Sequence, residues 1–362
     1  MVICTKENLL KGLSIVERAT GKNPTLPILS HVAFNIMTGK IILSATDLDI
    51  AVTVSVPAKT DRETAFTLPL RALLGFVSSI PHETIQFTRD GKKITIKSGS
   101  FKSSFQSGSF DEFPIIPELE TNNAVRIDGG QLSRALQQVA VASAQTETRP
   151  ELTGILLGIE GGQIQFAATD TFRLSLRAFS YTQPEIFSCI LPYRAALEVS
   201  RVFQDGEVMF QANENQCVFK STSVVFISRL IDGTFPDFRV IIPKTTQTTI
   251  TVPKEELLSK LEAASYFASR LNDILLKFKV TENRLELSAE NPDIGSYENE
   301  VSGTNTEGED QDIAVNLRYL FDGIRHINEK QCVLACNGAA QPLVLRAEKD
   351  QENLYLLMPI RK

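Results

Sequence analysis

The sequence predicts an α+β fold made of three tandem repeats, each with two helices packed on antiparallel sheets. Three observations carry this prediction. A short motif occurs three times, as Ala45-Thr46-Asp47-Leu48-Asp49, Ala168-Thr169-Asp170-Thr171-Phe172 and Ala289-Glu290-Asn291-Pro292-Asp293, with first alanines 123 and 121 residues apart. Each copy follows an alternating apolar run, at Ile41 to Ser44, Ile164 to Ala167 and Leu285 to Ser288, which reads as a strand ending in a turn. Self-similarity at a fixed long period also outranks any local motif as a sign of architecture. A chain of 362 residues has room for two or three cores, and the spacing favours three domains, 1–122, 123–247 and 248–362.

The elements of each repeat align in order. Each opens with a short strand and a helix: Val2 to Thr5 then Lys6 onward, Val125 to Asp128 then Gln131 onward, Ile250 to Pro253 then Lys254 onward. Leu9, Leu13 and Val16 follow helical spacing, as do Leu132, Leu136 and Val139, so each helix has a stripe to bury against a sheet. A second strand and helix begin at Thr67-Leu-Pro69-Leu-Arg71, Ile190-Leu-Pro192-Tyr-Arg194 and Val315-Asn316-Leu-Arg318. Proline is tolerated at a helix start because that N–H has no helical partner. Further strands follow, with a hairpin turn at Asp90-Gly91 in the first repeat. The repeats are joined by Phe113-Pro114-Ile-Ile-Pro117 and Phe235-Pro236 to Pro243, short stiff linkers. Ser302 to Asp312, acidic and glycine-containing, reads as a solvated loop.

Composition excludes several classes. No apolar run is long enough to span a bilayer, and the N-terminus lacks the parts of a signal peptide, so a cytoplasmic protein is expected. Five scattered cysteines do not make a disulfide framework in a chain this long and read as reduced core residues. Cys332 and Cys336 share one strand face, but His326 alone is a poor supplement, so no metal site and no cofactor are expected.

The net charge of −6 is unevenly distributed. Over the six expected helices and their ends (6–22, 69–80, 130–143, 193–204, 254–270, 316–330) the net charge is +6, which leaves −12 for the rest. Arginine stands at one equivalent position in each second helix, Arg71, Arg194 and Arg318, and Arg201 and Arg325 follow two turns later. Lys11 and Arg18 are also seven apart, and Arg134 matches Lys11. A shared basic helical face in an acidic protein suits sequence-independent phosphate contact, the bland alternative being an ordinary solvated face.

At this point the chain resembles a known family, the bacterial DNA polymerase III β subunits or sliding clamps, along nearly its whole length. The resemblance rests on Pro24-Thr25-Leu26-Pro27-Ile28-Leu29, Ala45-Thr46-Asp47-Leu48, Ala168-Thr169-Asp170 with Arg173-Leu174, Leu230 to Arg239, and Leu356-Leu357-Met358-Pro359-Ile360-Arg361. It implies three clamp-type domains per chain and a head-to-tail homodimer forming a ring with helices inside. Twelve helices about 9 Å apart make a circle about 34 Å across, about 23 Å of it clear, enough for duplex DNA. The implied function is that of a non-catalytic processivity factor. Its partners would be double-stranded DNA without sequence preference, the DNA polymerase III α subunit, the clamp loader complex and other proteins bearing a clamp-binding motif.

The residues that the resemblance implies for a partner-peptide pocket are Leu152, Thr169, Arg173, Leu174, Pro236, Ile241, Pro342, Leu356, Leu357, Met358 and Pro359. Those expected to face DNA are Lys11, Arg18, Lys22, Arg71, Arg134, Arg149, Arg194, Arg201, Arg318 and Arg325. Phe101 and Phe105 are expected to meet Tyr266 and Phe267 of a second copy. The chain departs from the family pattern at Thr171-Phe172, where Gly-His is frequent, and at Val240, where arginine is common, which bears on peptide selectivity. Two alternatives stand beside this reading. One is a clamp paralogue serving repair or other partners. The other is an enzyme using Asp47 and Asp170 as paired carboxylates, against which the third repeat has Asn291 and no nucleophile, phosphate-loop or metal motif is present.

Overall fold

The structure is a computed structural model that describes residues 1–21, 26–117, 124–146, 148–182, 187–350 and 352–360. Lys22, Pro24 and Thr25, and Arg361 fall outside the described residues. Six α-helices are present among those described: α1 Lys6–Val16, α2 Leu70–Ser79, α3 Gly129–Ala140, α4 Tyr193–Val202, α5 Lys254–Ser265 and α6 Leu317–Arg325. Two fall at each expected place, but α1 and α5 are shorter than expected. Arg18 lies in a 3-10 turn, Glu17–Ala19, rather than in α1, and Arg270 lies beyond the end of α5.

The helices form where an apolar stripe meets a starting cap. Thr5 accepts from the Asn8 N–H at the head of α1, and Asn316 accepts from the Tyr319 N–H at the head of α6. Leu9, Leu13 and Val16 of α1 and Leu317, Leu320 and Ile324 of α6 are buried. Gly12 lets α1 lie against the sheet: a Cβ there would come within 2.8 Å of Val56 Cγ2. Gly323 does the same for α6, where a Cβ would collide with the Tyr355 ring at 2.4 Å.

The chain divides into two compact units rather than three. One comprises Met1–Ser133 and Leu197–Leu230, the other Arg134–Ala196 and Ile231–Lys362. The sheets explain the division. In the first unit, an eight-stranded sheet joins strands of the first repeat to Val125–Asp128, Glu207–Ala212, Gln216–Lys220 and Val224–Arg229 of the second. In the other unit, a nine-stranded sheet joins Phe187–Pro192, Gly154–Glu160, Gln163–Thr169 and Arg173–Ser180 of the second repeat to strands of the third. The central repeat thus contributes one of its sheets to each unit. A five-stranded sheet ending on Phe101–Gln106 completes the first unit, and a four-stranded sheet ending on Gly295–Ser302 completes the other.

Each large sheet is sealed at one antiparallel seam between repeats. In the first unit, Ile50–Pro57 pairs with Val224–Arg229, with Val52 opposite Phe226. In the other, Arg173–Ser180 pairs with Asn353–Leu357, with Ser175 opposite Tyr355. The flanking bonds match as well. Arg229 N–H donates to the Asp49 carbonyl at 2.9 Å, and at the equivalent place Met358 N–H donates to the Phe172 carbonyl at 2.8 Å.

All five cysteines are free and buried. Burial pushes the thiols of Cys4, Cys217 and Cys332 up to about 12 and raises that of Cys336. Among the described residues no group of three or more His, Cys, Asp or Glu is placed to hold a metal, and no helix is long and apolar enough to cross a membrane.

Candidate partner groove and basic helical face

The Ala-Thr-Asp motif is a turn that satisfies its own backbone. Thr46 Oγ1 donates to the Ile50 carbonyl at 2.8 Å and accepts from the Leu48 N–H, while Asp47 Oδ1 accepts from the N–H groups of Asp49 and Ile50. Thr169 and Asp170 repeat the pattern bond for bond with Arg173, Thr171 and Phe172. The third residue of each turn is left-handed, Leu48 at φ 83° and Thr171 at φ 76°. Asp47 and Asp170 are thus engaged as turn acceptors, which removes the ground for reading them as catalytic carboxylates. In the third repeat Asn291 accepts from Asp293 N–H and sends its amide to the Ala268 carbonyl, a different turn.

Period-two alternation divides the expected pocket residues between two faces of the sheet. Leu174 and Leu356 are cross-strand neighbours, as are Arg173 and Leu357 one step along on the opposite face. Leu174, Leu356, Leu354, Val344, Ala167 and Phe238 form one buried apolar cluster, with Met358, Phe235 and Ile242 packed against it at partial exposure. This cluster is the floor of a candidate groove. Phe172, 62% exposed, passes its carbonyl to Met358, and Val240, 77% exposed, follows two residues after buried Phe238. Both large apolar side chains therefore stand free beside the floor.

Arg173 and Leu357 belong to the other face, a correction to the expected lining. The Arg173 side chain is 8% exposed and ion-paired to Asp170 at 2.9 Å and to Asp322 of α6 at 2.8 Å. Its guanidinium lies 4.1 Å from the Tyr319 ring centre and 3.5 Å from the Tyr355 hydroxyl. Burial alone would lower its pKa, but Tyr355, Asp322 and Asp170 outweigh that and hold it above its ordinary value. Burial raises the Tyr355 phenol, with Arg173 opposing. Arg173 therefore ties the turn to α6 and does not offer an open donor. Thr169, also buried, has its hydroxyl engaged in the turn.

Of the other expected lining residues, Leu152 is buried in a 3-10 turn and Ile241, 37% exposed, ends the turn that carries Phe238. Pro236, Pro342 and Pro359 are at least partly exposed, outside the buried cluster. Phe238, Val344 and Leu354 were missed. The signal was available, since Leu354 is two residues from Leu356 on the same strand, Val344 pairs directly with Leu356, and Phe238 lies inside the linker motif.

The helical cations are mostly exposed: Lys11, Arg71, Arg134, Arg194, Arg201, Arg318 and Arg325. On α6 the two arginines lie opposite the buried Leu317, Leu320 and Ile324 stripe. Arg18 and Arg201 share one carboxylate, Glu198, at 2.9 and 2.7 Å, and Arg149 pairs with Glu151 at 2.9 Å outside any helix. Those three cations are partly neutralised in place.

Three family models tile the chain: the N-terminal, central and C-terminal domains of the DNA polymerase III β subunit match residues 1–117, 126–237 and 239–361. The chain belongs to this family. The beta sliding clamp of Bacillus subtilis is 27% identical over 371 residues, covering 98% of each chain, and that of Synechococcus elongatus is 29% identical over 99% of each. The crystal structure of the Bacillus subtilis DNA polymerase sliding clamp superposes at a TM-score of 0.93 with 26% identity, covering 100% of this chain and 99% of that one. The Streptococcus pyogenes β subunit, at 21% identity, shares the fold at a TM-score of 0.95. The fold class is therefore α+β with three β-subunit domains, as the repeat predicted.

Proposed function

We propose that the chain is half of a DNA sliding clamp. Two copies close head to tail around duplex DNA and act as a processivity factor, tethering the replicative polymerase and other DNA-acting proteins at the Leu174–Met358 groove. The family match and the sliding clamps among its relatives support this reading. The three repeats are taken as domains 1–122, 123–247 and 248–362. The ring needs no catalytic group and no cofactor: a closed ring cannot leave DNA sideways, so weak phosphate contacts that permit sliding suffice.

The observation that carries ring closure is that both seams within the chain have the same register. Rows of cross-strand partners run Val125, Phe210, Phe219, Phe226 in the second repeat and Ile250, Leu334, Leu345, Tyr355 in the third. Phe226 then meets Val52, the partner of Ala45, and Tyr355 meets Ser175, the partner of Ala168. In the first repeat the same row runs Val2, Phe87, Ile96, Ser103, and ends on an unpaired edge strand. The third alanine, Ala289, faces Tyr297, also on an edge strand.

Applying the rule once more pairs Ser103 of one copy with Tyr297 of the next. Lys102 then stands opposite Glu298, an attractive pair. Phe101 and Phe105 share the Ser103 face, and Phe267 already stacks on Tyr297 at 6.0 Å, with Tyr266, 72% exposed, beside it. An open arc would leave both edges exposed to mispairing, and a second copy covers them.

Cysteine pairs test the register, because the five native thiols are buried and stay out of the reaction. Ser103→Cys with Tyr297→Cys should oxidise to a covalent dimer of about twice the 40.0 kDa chain mass, while Ser103→Cys with Glu300→Cys should not. Equal cross-linking of both pairs would contradict the register. On DNA, replacing Arg194, Arg201, Arg318 and Arg325 with alanine should reduce the salt slope of binding by about 3, each free phosphate contact contributing about 0.9 and Arg201 less through Glu198. An unchanged slope would remove these arginines from the DNA face.

A further inference from the structure

We propose that the seam of the first unit carries a second peptide groove, suited to an extended partner segment with bulky apolar anchors and a basic flank. The proposal rests on the peptide-binding reading of the Leu174 groove and extends it through the repeat. By the shared register Ile227 occupies the place of Leu356, Ala51 that of Leu174 and Arg229 that of Met358. The linker Phe113-Pro114 leaves its repeat as Phe235-Pro236 leaves the next.

The first seam is the more open of the two in what lines it. Its buried floor is Ala51, Val218 and Ile227, with Ile116 and Val225 packed against it. Alanine in place of leucine leaves room there. A cavity of about 250 Å³ is bounded by Leu48, Asp49, Ala51, Ile227 and Arg229. A second of about 440 Å³ is bounded by Ala33, Ile42, Phe110, Asp111 and Phe113. The two adjoin along Pro114, Ile115 and Ile116, so together they make an elongated trough of the size that takes a peptide side chain at each end.

Two exposed residues point to use of this trough. Ile115 is 95% exposed at its middle. Leu48 is 45% exposed and held at φ 83°, a conformation a leucine adopts only at a cost of about 1–2 kcal/mol. Asparagine or glycine would satisfy the turn without that strain, and no buried cluster of the first unit uses the Leu48 side chain. A large apolar group kept at a strained exposed position marks a contact made with something else.

Charge specifies the occupant. Asp49 and Asp111 against the single Arg229 leave the rim acidic, and none of the three forms an ion pair among the described residues. Lysine or arginine beside the anchors complements that rim, where the Leu174 groove has the apolar Phe172 and Met358 at the matching places.

The test uses the full-length protein and two synthetic peptides, acetyl-Gln-Leu-Ser-Leu-Phe-Lys-Lys-amide and its counterpart with glutamates in place of the lysines, measured by calorimetry. The lysine peptide should bind twice per chain. Leu174→Ala with Met358→Ala should remove one event, and Leu48→Asn with Ile115→Ser, both at exposed positions, should weaken the other at least tenfold. The glutamate peptide should lose at least threefold at the second event alone. A single event per chain that vanishes in the Leu174→Ala/Met358→Ala variant overturns the second groove. Equal affinity of both peptides at the second event overturns its basic preference. Two events untouched by Leu174→Ala/Met358→Ala, one of them sensitive to Leu48→Asn/Ile115→Ser, would leave the second groove standing and refute the first.

Discussion

The turn at Thr46–Ile50 and the turn at Thr169–Arg173 make the same four side-chain bonds to backbone, and the strands that follow make the same seam. They differ in what is hung on that frame. The first turn ends in Ile50, buried in the sheet of its unit, and is followed by Ala51. The second ends in Arg173, which reaches Asp170, Asp322 and Tyr319, and is followed by Leu174 on the groove floor. The comparison teaches that Thr-Asp in this chain is architecture, and that functional differentiation lies in the fifth and sixth residues of the motif. A reading that searched for function in the acidic residue itself would have looked one turn too early.

The largest effect expected from breaking this comparison is at Arg173. Arg173→Ala leaves Asp170 and Asp322 without their shared partner in a largely buried place and should cost about 3–5 kcal/mol in urea unfolding. Arg173→Lys should recover little, because one ammonium cannot reproduce the forked geometry. A loss under about 1 kcal/mol in Arg173→Ala would mean that α6 does not depend on the turn.

Next come the sixth positions. Leu174→Ala removes a fully buried side chain from the larger cluster and should cost about 3 kcal/mol. The reverse change, Ala51→Leu, adds volume beside an existing cavity and should cost under about 1 kcal/mol, against the 1–3 typical of a filled core. An overpacking penalty at Ala51 equal to the truncation penalty at Leu174 would show the two floors to be equally tight.

The smallest effect sharpens the shared part. Asp47→Ala strands two backbone N–H groups of an exposed turn and should cost about 1 kcal/mol, whereas Asp170→Ala loses those bonds and the Arg173 pair and should cost distinctly more. Equal losses on thermal unfolding would place the Arg173 pair outside the energetics of the turn.

Much of this was legible in the sequence, for a physical reason. Period-two runs, helical stripes and a 123-residue recurrence are local or self-referential signals, and the six helices fell where Leu9, Leu132, Leu257 and the three equivalent arginines placed them. What was not legible depends on partners distant in the chain. Arg173 read as an open polar group because its second carboxylate, Asp322, is 149 residues away on α6. Leu357 read as groove lining because a run of three apolar residues, Leu356 to Met358, does not declare which of them face which side. The cross-strand pairing with Leu174 declares it. Arg18 and Arg201 read as free cations because Glu198 was counted only as a charge on α4, not as their common acceptor. The division into two compact units was not visible either, since the chain order of the central repeat does not reveal that each of its sheets extends one from a neighbouring repeat.

The central claim, a ring held on DNA by topology, is tested most directly by retention. The purified protein would be loaded on nicked circular DNA with a clamp loader and ATP, separated from free protein by gel filtration, and the DNA then cut once. The account predicts that the protein stays with the circle through the column and leaves within minutes of linearisation. Protein that remains on the linear DNA, or that washes off the intact circle at the same rate, would contradict it.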